Sequence, residues 1–115
     1  MAYFPHPDPN HRAPRSRVTD PIPVEIVVSG SKGVRGTLQA ISTTGGCAQL
    51  PAVINEGALA EIALGTKFGP VRALAEMLKP QTAGARRVQA FRFIALSETD
   101  HERLTSALNS LRESA

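Results

Sequence analysis

Between Pro23 and Ala95, apolar side chains recur at every second position in short runs, and the runs are separated by segments containing Gly, Pro, Ser or Thr. That spacing belongs to half-buried strands of an antiparallel sheet, because successive strand side chains point to opposite faces. Val24, Ile26 and Val28 share one face of the first run, and residues 29–33 read as the turn that follows. Residues 35–41 and 46–50 form a pair around a Ser42-Thr43-Thr44-Gly45-Gly46 corner. After a Pro51-to-Gly57 connection, residues 58–64 group Ala60, Ile62 and Leu64. Residues 65–69 then read as a turn, and Val71, Ala73, Ala75 and Met77 share one face with Arg72 and Glu76 on the other. Beyond a loop expected at Pro80 to Gly84, residues 87–95 set Phe91 and Phe93 against Arg92. Six strands with short connections in 115 residues favour closure into a barrel, which removes unpaired edges.

The period changes after Ser97. Leu104, Ala107, Leu108 and Leu111 fall on one helical stripe, and Ser97 stands three residues before Asp100 as a cap. Acidic residues at 98, 100 and 102 favour the positive end of the helix dipole. The expected fold class is therefore all-β, a six-stranded antiparallel β-barrel with one C-terminal α-helix over residues 98–112 closing one end.

Six of the nine prolines lie in the first 23 residues, and residues 1–14 show neither period. Proline removes a donor and restricts its preceding neighbour. Residues 1–16 are therefore read as a flexible Pro-rich basic arm, with no ordered secondary structure before Pro14, and residues 17–115 as the barrel with its helix. Arg12, Arg15 and Arg17 crowd the end of the arm.

The formal charge is +3, and ten of the thirteen basic residues are Arg. Guanidinium forks suit bidentate contacts with phosphate, so a phosphate-bearing partner fits, although scattered solvated charges give the same total. Aromatics are only 4% with no Trp, which argues against a platform for stacking single-stranded nucleic acid. A single cysteine, Cys47, excludes an internal disulfide and fits a reducing compartment. No apolar run reaches the length of a membrane span, and a cytoplasmic protein without membrane insertion is expected. No histidine has a second ligand at metal spacing, and no carboxylate pair faces a nucleophile. Neither enzyme chemistry, a metal nor a cofactor is expected.

The segment from Leu38 to Leu50 resembles the signature corner of the PilZ family, where Asp or Asn is followed by x-Ser-x-x-Gly. Ser42 and Gly45 stand at that spacing, and Ala40 occupies the acidic or amide position. Pro23-Val24-Glu25-Ile26 and Phe91-Arg92-Phe93-Ile94-Ala95-Leu96-Ser97 are similar to the family's first strand and to its approach to the helix. The resemblance implies a bacterial signalling domain, of which many bind cyclic di-GMP. It implies that Arg12, Arg15, Arg17, Ser42 and Gly45 meet that ligand, the arginines belonging to an Arg-x-x-x-Arg motif. Arg17 matches the second arginine and Ala13 stands at the first, with Arg12 one residue early and Arg15 two late. Gln39 projects to the opposite face from Ala40 under strict alternation. A missing charged hydrogen bond at Ala40 lowers affinity by roughly ten- to hundredfold. The alternative is a ligand-independent adaptor acting through contacts with a protein partner.

Overall fold

The computed structural model describes residues 2–3, 16–17, 21–28, 33–83 and 86–113. Two short strands, β1 (Ala2–Tyr3) and β2 (Ser16–Arg17), precede β3 (Pro23–Val28), β4 (Val34–Ile41), β5 (Gly45–Gln49), β6 (Leu59–Thr66), β7 (Gly69–Ala83) and β8 (Arg86–Ser97). Helix α1 (Glu98–Glu113) follows. Alternation sets the inner face as expected: Ala60, Ile62 and Leu64 on β6, and Val71, Ala73, Ala75 and Met77 on β7, are all buried. Phe91 and Phe93 fill the centre with ring centroids 5.6 Å apart. Strands β3 to β8 pair in the order β3-β6-β7-β8-β5-β4 and β4 pairs back to β3, so the six form a closed antiparallel barrel.

Each end of the barrel is closed by a different device. At one end, the Ser97 hydroxyl accepts from Asp100 N at 3.1 Å and donates to Asp100 Oδ2 at 2.6 Å, starting α1 where the sequence places its cap. Asp100 Oδ1 accepts from Arg72 N at 3.0 Å, and Arg103 Nη1 donates to Pro70 O at 3.1 Å, so the first turns of the helix are stitched to β7. Leu104, Ala107 and Leu108 turn inward and are buried. Toward the start of β8, the buried Gln89 amide holds the connection between β5 and β6. Its Nε2 donates to Ile54 O at 2.6 Å and to Leu78 O at 2.9 Å, while Oε1 accepts from Ile54 N at 3.0 Å. Ile54 is thereby pinned into the core as a plug.

Three expectations are corrected. The chain before Pro14 carries secondary structure at Ala2–Tyr3, which pairs with Ser97 and Leu96 of β8. Pro80 to Ala83 continue β7 rather than forming a loop. An irregular register between Met77 and Pro80 sets the ladder aside there, and a proline is tolerated in a strand at such an irregularity. The third correction concerns β4. Leu38 opposes Ala48 but Ala40 opposes Cys47, so Gln39 is an extra residue with no partner on β5, a β-bulge. Leu38 and Ile41 both lie in the core although they stand three apart. The two residues between them therefore share the outer face, and Gln39 lies on the same side as Ala40.

Candidate functional site

The corner joining β4 to β5 is built from its own polar atoms. Ser42 N donates to Gly45 O at 2.7 Å, closing the turn. The Ser42 hydroxyl accepts from Thr44 N at 3.2 Å, donates to Gly45 O at 3.2 Å and lies 3.2 Å from Thr44 Oγ1. A serine hydroxyl bonding two residues ahead imitates a backbone turn, which is why this residue type starts one here. Ser42 is only 2% exposed, so its hydroxyl is committed to the fold of the corner. Thr44 O accepts from Phe93 N at 2.8 Å, tying the corner to β8.

The two glycines answer to crowding. Gly45 opposes Arg92, and Gly46 lies between Ile41 of β4 and Phe91 of β8. A Cβ on Gly45 would stand 2.2 Å from Phe91 O, and one on Gly46 would stand 2.5 Å from Ala40 O. Both residues belong to β5, and close approach of the neighbouring strands accounts for a glycine at each.

Outside the barrel, Arg17 pairs with Ala40 and Ser16 with Ile41. Ala40 pairs with Cys47, and Cys47 with Ala90. Because Ala48 is in the core, this row faces outward, and it makes a shelf of three small, half-buried residues beside the corner. The Arg17 backbone lies along one side of the shelf. Across from Gly45, Arg92 Nη2 meets Glu76 Oε1 at 2.7 Å, with both side chains about one third exposed. The structure thus brings Arg17, Ser42 and Gly45 to one corner. Arg12 and Arg15 lie outside the described residues. Sequence reasoning missed Arg92, whose register opposite Gly45 depends on the pairing of distant strands. Among the described residues, no group of three or more His, Cys, Asp or Glu side chains is placed to hold a metal ion. No helix among them is long and apolar enough to cross a membrane.

No family model matches the sequence, and no curated protein matches it. Solved structures do match in three dimensions. The PilZ domain of YcgR from Escherichia coli, solved with c-di-GMP, superposes with a TM-score of 0.74 at 21% identity, covering 90% of this chain and 92% of that one. The fold is PilZ-like. A longer YcgR chain in complex with c-di-GMP gives a TM-score of 0.78 at 23% identity over 90% of this chain, which spans 46% of that one. The PilZ domain of CeSA from a cellulose-synthesizing bacterium gives 0.62 at 19% identity, over 87% of this chain and 99% of the other. In this PilZ-like barrel the signature corner is the turn between β4 and β5, and β2 is the segment laid beside it.

Proposed function

We propose that the chain is a non-enzymatic PilZ-like regulatory binding domain that takes cyclic di-GMP on the outer shelf beside the Ser42–Gly45 corner, in a bacterial cytoplasm. The observation that carries this reading is the pairing of Arg17 with Ala40, which lays the arginine-bearing segment against the corner. A shelf of Ala40, Cys47 and Ala90 is low enough for a purine to lie flat. Arg17, with Arg12 and Arg15 from the preceding segment, supplies guanidinium groups that pair with phosphate and stack on purine faces. Ser42 and Gly45 serve the site by fixing the corner's shape. The YcgR structures carry c-di-GMP, and their likeness in fold supports the same ligand class here.

Ordering a segment over a ligand costs about 1–2 kcal/mol per immobilised residue, which offsets much of the contact energy. With no acidic or amide group at position 40, binding is micromolar or weaker and falls with added salt, because arginine–phosphate pairs dominate it. Titration calorimetry of the full chain with cyclic di-GMP tests the reading, and Arg17→Ala abolishes the signal if it holds. Ala40 also favours a second reading, a ligand-independent adaptor for a protein partner. A wild-type protein silent at millimolar ligand, with Ala40→Asp equally silent, decides for the adaptor.

A further inference from the structure

We infer that Gln39, delivered to the outer face by the bulge in β4, supplies the hydrogen-bonding group that reads the edge of the purine on the shelf; this rests on the cyclic di-GMP reading above. Three observations converge on it. The register shift between Leu38 and Ala40 leaves Gln39 without a partner on β5, and the core positions of Leu38 and Ile41 put it on the side of Ala40. Arg17 is paired with Ala40, so Gln39 is one residue from the point where the arginine segment meets β4. Its side chain is half-buried, yet the amide makes no hydrogen bond with another described residue. Of the other polar groups at the corner, Ser42 and Thr44 are committed to the turn and Arg92 to Glu76, and Thr43 carries a single hydroxyl rather than the paired donor and acceptor of an amide.

The chemistry suits guanine. Its Watson–Crick edge presents an acceptor, O6, beside a donor, N1–H. A primary amide presents the complementary donor and acceptor in one plane, making two parallel hydrogen bonds. Ala40 offers neither group, so the polar function at this corner sits one residue earlier in the chain. A bulge permits this because it places two consecutive side chains on the same side of the sheet.

The test is calorimetric titration of the full chain with cyclic di-GMP, using wild type, Gln39→Ala, Gln39→Met, Ala40→Asp and the double variant Gln39→Ala/Ala40→Asp, each with a thermal melt. Gln39→Met keeps the length of the side chain and its packing while removing the amide. Both single Gln39 variants weaken binding about five- to thirtyfold at an unchanged melting temperature. The double variant recovers wild-type affinity or better and binds nearly as tightly as Ala40→Asp alone, because a carboxylate at position 40 reaches the same base edge from the same face; a merely structural glutamine costs the full five- to thirtyfold in either background. Wild-type affinity in Gln39→Met, or the full loss in the double variant relative to Ala40→Asp alone, overturns the assignment and leaves the ligand reading standing. A silent wild type overturns both.

Discussion

Gln89→Leu isolates the device that holds the connection between β5 and β6. Leucine nearly matches glutamine in volume and suits a position that is 2% exposed, so the change removes three hydrogen bonds with little loss of packing. Ile54 N, Ile54 O and Leu78 O lose the amide that serves them. Stranding a buried polar group costs about 1–3 kcal/mol. Partial access of water at the mouth and the greater apolarity of leucine offset some of that total, leaving about 2–4 kcal/mol. Urea denaturation measures the difference directly, and a thermal melt falls by roughly 10–20 °C for a domain of this size. Gln89 faces the core, whereas its neighbour Ala90 faces the outer shelf, so ligand affinity is unchanged in protein that remains folded. A Gln89→Leu variant as stable as wild type refutes the argument, since Ile54 would then be held by apolar packing alone.

Ser42→Ala costs about 1–2 kcal/mol in urea denaturation, because it removes the hydroxyl that orders the turn, and its melt drops whether or not ligand is present. Gly46→Ala destabilises by about 1–3 kcal/mol or more, as its Cβ meets Ala40 O at 2.5 Å between two strands; two-dimensional NMR shows the largest shifts in β4, β5 and β8. Ala40→Asp tightens cyclic di-GMP binding about ten- to hundredfold in calorimetry by supplying a charged acceptor on the shelf.

Legibility in the sequence follows the range of the interaction that decides each feature. Ala60, Ile62 and Leu64, or Val71 through Met77, declare their face through period two alone, and the helix declares itself through Ser97, Asp100 and the Leu104 stripe. The run through Pro80 was hidden because proline reads as a breaker, and only the displaced register with β8 makes room for it. Pairing of Ala2–Tyr3 with Leu96 and Ser97 joins opposite ends of the sequence, and two residues carry no period. Gln89 lies on the Phe91 side by alternation, but its partners at Ile54 and Leu78 belong to distant segments that no local pattern specifies. The bulge left a visible trace: Leu38 and Ile41 are both strongly apolar, three apart, in a strand of period two. At the candidate site, Ser42 and Gly45 were findable by spacing, whereas the shelf of Ala40, Cys47 and Ala90 exists only after three strands align.

Closure of the barrel also sets when the corner is anchored. Strands β6, β7 and β8 follow one another as antiparallel neighbours and can form while contacts remain local in sequence. Anchorage of the corner instead needs β5 against β8, a pairing that joins residues 45–49 to residues 88–92. Loop-closure entropy delays such distant pairings relative to hairpins. During synthesis, the Thr44 carbonyl has no Phe93 amide to meet until β8 has left the ribosome. The local bonds of the β4–β5 turn can form early, whereas its tie to β8 is among the later contacts, and a chain halted before β8 carries its Ser-x-x-Gly turn without the strand that backs it.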